Sequence, residues 1–250
     1  MKTPLIIAHR GDLEQAPENT LSSFESAITK GADTIELDVH LSADNQLAVH
    51  HDYYLERTTN GTGFIGNKSL EDLKTLDAGG WFDEKFIQER IPTLDQVLDL
   101  GKGKIRFEIE LKTPSLDLAA KVLKLIKDFD LMAEVEITSW HTPLLFQAKK
   151  LNPAITIGVF FNRLPYWMEP SLGMEHVINL MRLTGMQVAH FYPDLVDSNN
   201  ISRLPEAGFI AHTSANEEPD KLDRCFRSGA DQISTNFLDL ALHTRAELGT

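Results

Sequence analysis

Ile35-Glu36-Leu37-Asp38-Val39 alternates branched aliphatic side chains with carboxylates, and Phe107-Glu108-Ile109-Glu110-Leu111-Lys112 repeats the pattern further along the chain. Successive strand side chains point to opposite faces, so Glu36 and Asp38 share one face while Ile35, Leu37 and Val39 share the other. The same parity groups Glu108, Glu110 and Lys112. An ionised carboxylate without a partner resists removal from water. Acids interleaved with Ile, Leu and Val therefore mark strands whose second face is a site. Three more segments bring titratable groups to an apolar run or a helix start: Leu5-Ile6-Ile7-Ala8-His9-Arg10-Gly11, Pro17-Glu18-Asn19-Thr20 and Val49-His50-His51-Asp52. Several acids converging with two or three histidines read as a metal-assisted acid–base centre.

Outward from these segments, strand patterns alternate with helical ones. Leu5–His9, Thr34–His40, Arg106–Lys112, Val135–Ser139, Ile155–Phe160, Gln187–Phe191, Phe209–Thr213 and Gln232–Thr235 read as strands, with Gln46–His51 a short extension of the second. Helices are expected over Glu18–Lys30, Leu116–Phe129, Thr142–Leu151, Glu175–Leu183, Ser198–Ala207 and Asp220–Ser228. Eight βα-like units predict a parallel (β/α)8 TIM barrel. The open doubly wound sheet is its rival, but no glycine-rich phosphate fingerprint follows the first strand. Barrel chemistry gathers at the C-terminal rim of the strands, where His9, Asp38, Lys112 and Ser139 fall. The alternation breaks between His51 and about Ile91, so residues 1–250 are expected to form one domain with a small insertion over about 53–90, packed across the barrel mouth.

Composition narrows the partners. The formal net charge of −13 excludes a general affinity for nucleic acid or anionic membrane. A small anionic substrate would need a local positive focus, which Arg10, Lys112 and a bound cation could supply. The single cysteine, Cys225, cannot close an intrachain disulfide and reads as a small buried residue. The start of the chain has four consecutive apolar residues before His9, short of a signal peptide's apolar region, and no run reaches transmembrane length. The expectation is a cytoplasmic protein without stable membrane association.

Among the candidate site residues, Glu36 and Asp38 are the sharpest, with Glu110 completing a set of hard oxygen donors. Without cysteine, H-x-H or H-E-x-x-H pairs, that set favours Mg²⁺ or Ca²⁺ over zinc. Glu108 is either a further ligand or a partner of Lys112, and Lys112 can neutralise a phosphate oxygen or pair with Glu108 or Glu110. Arg10 offers a planar fork for phosphate or carboxylate beside His9, and Gly11 permits close backbone approach. Glu18 serves either the first turn of a helix or the metal centre. His51 gives a second imidazole, and two can divide proton removal and proton delivery. His50 faces away from whatever His51 faces. His40, His141, His176, His190 and His243 have no comparable setting and read as structural or exposed. The aromatics Tyr53, Tyr54, Trp81 and Phe82 admit three readings: a homodimer contact, a lid, or the insertion's own core.

His9-Arg10-Gly11, Pro17-Glu18-Asn19-Thr20, Glu36-x-Asp38, His51-Asp52 with Leu55-x-Arg57-Thr58-Thr59, Arg90-Ile91-Pro92-Thr93-Leu94 and Glu108-x-Glu110-x-Lys112 together resemble the glycerophosphodiester phosphodiesterases. Order and spacing agree to about Lys112, with weaker agreement at Ser139-Trp140 and Thr213–Asn216. The resemblance implies a distorted TIM barrel inserted after its second strand, hydrolysing small glycerophosphodiesters such as glycerophosphocholine or glycerophosphoethanolamine to glycerol 3-phosphate and an alcohol. It implies divalent metal on Glu36, Asp38 and Glu110, His9 and His51 as the acid–base pair, and Arg10 and Lys112 on the phosphate. The mechanism it implies is attack by the neighbouring glycerol hydroxyl, then hydrolysis of a cyclic phosphate. A lipid-cleaving enzyme on the same barrel and a non-catalytic phosphodiester-binding protein are the alternatives. Two positions depart from the family pattern: His212 where Trp is frequent, implying a substrate-binding role in the glycerol pocket, and Asn236 in Thr235-Asn236 where Thr-Asp is frequent. Neither is expected to touch the metal or acid–base set.

Overall fold

The computed structural model describes residues 3–162, 167–191 and 201–248. Nine strands run in chain order: β1 (Leu5–Ala8), β2 (Thr34–Leu41), β3 (Leu47–Val49), β4 (Arg106–Leu111), β5 (Val135–Thr138), β6 (Thr156–Phe160), β7 (Val188–Phe191), β8 (Ile210–Ala215) and β9 (Gln232–Thr235). All but β3 pair in parallel with their neighbours, and β1 bonds both β2 and β9, which closes the sheet into an eight-stranded barrel. β3 lies antiparallel on the upper part of β2, with Val39 opposite Val49. Helices fill the crossovers, among them Leu21–Lys30, Leu94–Gly101, Leu116–Asp128, Thr142–Leu151 and Pro170–Thr184. The expected distorted barrel is the observed fold. No helix among the described residues is long and apolar enough to cross a membrane.

Strand parity sorts the side chains as the alternation requires. Ile35, Leu37 and Val39 of β2 and Ile109 and Leu111 of β4 join one core with helix residues such as Leu98, Val122 and Ile126, all nearly or fully buried. Burying each such side chain contributes about 1.5–3 kcal/mol. Cys225 is buried in the same core and carries no disulfide. The opposite parity turns inward, and the register sets Glu36 beside Glu108 and Asp38 beside Glu110. Further round, Glu108 sits beside Glu136 and His190 beside His212. An interior usually filled by branched aliphatics is here acidic and imidazole-rich.

One element differs in extent in a way that matters. The helix expected from Glu18 begins at Leu21, because Asn19 is left-handed (φ +56°) and Thr20 is an extended N-cap whose hydroxyl accepts from the Ser23 amide. Ser198–Asn200, the start of another expected helix, lie outside the described residues; the helix there runs Arg203–Glu206.

Between β3 and Leu94 the chain makes only short helical turns around a small cluster of Ala48, Leu55, Ile65, Leu73, Ala78 and Ile91. This cluster is aliphatic. Of the aromatics, Tyr54 and Trp81 remain exposed, while Tyr53 stacks on Phe64 and its hydroxyl donates to the Lys112 carbonyl at 2.7 Å, tying the segment to the rim of β4.

Candidate active site

The C-terminal ends of the strands open into a pocket of about 500 Å³ whose walls include His9, Arg10, Glu36, His51, Glu110 and Lys112. One oxygen each from Glu36, Asp38 and Glu110 lies within 4.8 Å of the others, and all three residues are buried. Lys112 Nζ reaches Asp38 Oδ1 at 3.1 Å and Glu110 Oε2 at 2.9 Å, so the ion pair expected for Lys112 forms with Glu110, not Glu108. Carboxylates buried at such range raise one another's pKa, and nearby cations oppose this. Burial pushes Glu110 up to about 7, with Lys112 opposing, and burial and Asp38 hold Glu36 well above the usual carboxylate range. Asp38, equally buried, is instead drawn low by Lys112 and then Arg10.

The turn after β1 supplies the rest of the frame. Arg10 is left-handed (φ +59°), followed by Gly11 at φ +91°, where an added Cβ would overlap Ser23. The strained turn brings the Arg10 amide onto Glu36 Oε2 (3.0 Å) and its guanidinium toward Asp38, 3.5 Å from Oδ2. Asn19, also left-handed, donates its amide to Asp38 Oδ2 at 2.8 Å. Glu18 is no part of the carboxylate triad: it accepts from Arg10 at 3.0 Å and from the Arg57 fork at 2.7 and 2.8 Å. Arg57 then donates to Asp52 (2.6 Å), and Asp52 lies 2.5 Å from His51 Nδ1. A continuous ionic chain thus runs from Asp38 through Arg10, Glu18, Arg57 and Asp52 to His51.

His9 follows β1 directly and has its own partner. Its Nδ1 donates to Asn236 Oδ1 at 2.6 Å, leaving Nε2 as the acceptor nitrogen. Burial, then Arg10, lowers its pKa to about 3, so the ring is neutral at pH 7. The His51 pKa is also lowered by burial, with Asp38 opposing. The expectation that Asn236 would not touch the acid–base set is therefore corrected: its side chain is the partner of His9. Asn236 sits just beyond β9, which pairs with β1, a neighbourhood created by barrel closure and invisible in linear order.

Below the triad lies a second group. Glu108 is not bound to Lys112; it faces His190 and His212, with Glu136 beside them, all buried. His212 does line the pocket, as do Glu108 and His190. Sequence reading left His190 as structural or exposed and passed over Glu136. The signal for Glu136 was present, since Val135-Glu136-Ile137 repeats the acid-between-aliphatics alternation of β2 and β4. Of the remaining expected histidines, His40 is buried against Thr113 and the His51 carbonyl, and His50 lies 3.4 Å from the Tyr54 carbonyl, off the pocket wall. At the rim, Trp140 stacks on Phe160 with centroids 4.8 Å apart, and Glu217 and Glu218 line the same opening.

The triad fits a hard divalent cation on its own geometry. Its donors are all oxygen, and Asp38 Oδ1 accepts no hydrogen bond, having only the Lys112 ion-pair contact.

The chain is similar to known proteins over nearly its whole length. The model of the glycerophosphoryl diester phosphodiesterase family matches residues 9–240. A glycerophosphodiester phosphodiesterase of Caldanaerobacter subterraneus is 44% identical over 248 residues, covering 94% of this chain and 95% of that protein. The crystal structure of a glycerophosphodiester phosphodiesterase from Agrobacterium tumefaciens superposes with a TM-score of 0.82 at 30% identity, covering 96% of this chain and 99% of its own. An Oleispira antarctica phosphodiesterase, solved with the product sn-glycerol-3-phosphate, gives 0.85 at 27% identity, covering 98% and 97%.

The Asn236 contact predicts a pH effect. The unfolded chain takes up the His9 proton below about 6.5 and the folded protein only near 3, so this group erodes stability as pH falls through that window. In Asn236→Asp a carboxylate would favour the imidazolium, raising the His9 midpoint above 3 and relieving that loss. NMR titration of the His9 ring checks this; an unmoved midpoint contradicts the contact.

Proposed function

Because this chain belongs to the glycerophosphoryl diester phosphodiesterase family, we propose that it hydrolyses small water-soluble glycerophosphodiesters to sn-glycerol 3-phosphate and an alcohol. The observation that carries this reading is that His9, His51, Arg10, Lys112, Glu36 and Glu110 line one pocket, with Asp38 buried within 4.8 Å of the two glutamates. In this reading residues 1–250 are one barrel domain, and 53–90 form an insertion subdomain that contributes Arg57 to the ionic chain.

Glu36, Asp38 and Glu110 would hold the divalent cation, Mg²⁺ or Ca²⁺, which when bound polarises the phosphoryl oxygens. Arg10 and Lys112 orient the phosphate and offset its charge. His9, neutral and held by Asn236 through Nδ1, has Nε2 available to take the proton of the glycerol hydroxyl adjacent to the phosphoester. His51, backed by Asp52, delivers its proton to the departing alcohol. One P–O bond forms and one breaks, giving a cyclic phosphate and the free alcohol. Water then opens the ring with the two histidines exchanging roles. The attacking hydroxyl is already tethered beside phosphorus, so no second molecule has to be positioned in the first step.

The rim supports a cationic head group, as in glycerophosphocholine or glycerophosphoethanolamine. The stacked Trp140 and Phe160 present aromatic surface, and Glu217 and Glu218 supply negative charge at the same mouth. An ammonium over an aromatic face gains about 0.5–2 kcal/mol.

Phosphorus NMR of glycerophosphocholine turnover tests the reading. His9→Ala and His51→Ala should each lower kcat by about 10²- to 10⁴-fold, and unchanged turnover in either would contradict the assigned pair. Trp140→Ala should raise KM for glycerophosphocholine by about 2- to 30-fold while leaving KM for a substrate with an uncharged head group unchanged. Equal effects on both substrates would remove the head-group assignment.

A further inference from the structure

Four strands send one donor residue each to a buried cluster at the base of the pocket, three of them lining it: Glu108 from β4, His190 from β7 and His212 from β8, with Glu136 from β5 beside them. One ligand-capable atom of each lies within 4.8 Å of the others, and every one of these residues is buried. β6 runs between β5 and β7 and contributes Gly158, where a Cβ would overlap both Glu136 Oε1 and His190 Nε2. The missing side chain lets Glu136 and His190 meet across it, with Oε1 and Nε2 2.6 Å apart. The two imidazoles stack with centroids 3.9 Å apart, and both point Nδ1 toward Glu108, at 3.8 Å from Oε1 for His190 and 3.6 Å from Oε2 for His212. His212 Nδ1 also lies 3.2 Å from Gln232 Oε1.

A hydrogen-bonded Glu–His network of purely structural purpose should satisfy its buried atoms. This one does not. Glu108 is 3% exposed, yet its Oε2 has no hydrogen-bond partner, and it faces the cluster. The described ion pairs of Glu108 and Glu136 involve only histidines, whereas Lys112 offsets Asp38 and Glu110 one layer above. Two carboxylates and two imidazoles thus surround a buried oxygen that accepts no hydrogen bond.

We propose that Glu108, Glu136, His190 and His212 form a second divalent-cation site, selective for a transition-type ion such as Zn²⁺ or Mn²⁺. Mixed imidazole and carboxylate donors suit such ions, while the all-oxygen triad suits Mg²⁺ or Ca²⁺. The two sites differ by one strand repeat along β4, roughly 7 Å. Glu108, His190 and His212 all line the pocket, so an ion has a route in from the cleft. Neither site needs the other to be filled.

The test uses full-length protein stripped of metal and then equilibrated with Co²⁺ or Zn²⁺ under a large excess of Mg²⁺. The expected result is one Mg²⁺-resistant equivalent of Co²⁺ or Zn²⁺ per chain by elemental analysis. It should persist in Asp38→Asn and bind at least tenfold more weakly in His190→Gln and in Glu136→Gln. No Mg²⁺-resistant equivalent, or one lost in Asp38→Asn and retained in His190→Gln, would overturn the proposal. Should the cluster variants fail to fold, X-ray absorption of Co²⁺-loaded Asp38→Asn protein decides. Two imidazole nitrogens in the cobalt shell are expected, and a shell of oxygen alone would refute the site.

Discussion

The structure depends on the cost of three carboxylates buried within 4.8 Å of one another inside a barrel. Like charges at that range in a poorly hydrated interior repel by several kcal/mol unless counter-charge is brought to them. Much around the triad serves this end. Lys112 comes from the end of β4, and Arg10 is delivered by a left-handed turn that a relaxed chain would avoid. Asn19, in a second left-handed residue, binds Asp38 through its side-chain amide and so delays the start of the first helix. These features are coupled: relaxing the Arg10 turn would remove an amide from Glu36 and a guanidinium from Asp38 together.

The same constraint draws the segment after β3 into this ionic network. Arg57 lies beyond β3, outside the regular barrel, yet it links Glu18 to Asp52 and so completes the ionic path from Asp38 to His51. Arg10 is shared between Glu18 and Asp38, and Glu18 between two guanidiniums. The orientation of His51 and the counter-charge on the triad therefore rest on one set of side chains. His9 is held by a separate partner, the side-chain amide of Asn236 just beyond the neighbouring β9.

Strand parity made much of this legible in the sequence. The alternation over 35–39 and 107–112 placed the triad on one face and the core on the other, and that is how β2 and β4 pack. The punctuation of the chain gave the barrel and located the irregular segment after His51. What could not be read are contacts made by closure. Asn236 meets His9 only because β9 pairs with β1, and Glu136 meets His190 only because Gly158 leaves a gap between their strands. His190 and His212 share no local motif, since parallel neighbours are joined through long crossovers. Glu136 alone could have been found, its alternation matching that of Glu36 and Asp38.

Donor chemistry, as well as strand position, divides the barrel interior into two layers. The upper one is all carboxylate with lysine and arginine against it, and the lower pairs carboxylates with imidazoles. In the proposed function the upper triad would hold the cation on which phosphodiester hydrolysis depends. This dependence is tested most directly by following glycerol 3-phosphate release from glycerophosphocholine with metal-stripped, folded protein, before and after addition of Mg²⁺ or Ca²⁺. The account predicts negligible release without metal and recovery on adding one of the two ions, with no recovery in Asp38→Asn. Full turnover by the metal-stripped protein, or none with either ion, would contradict it.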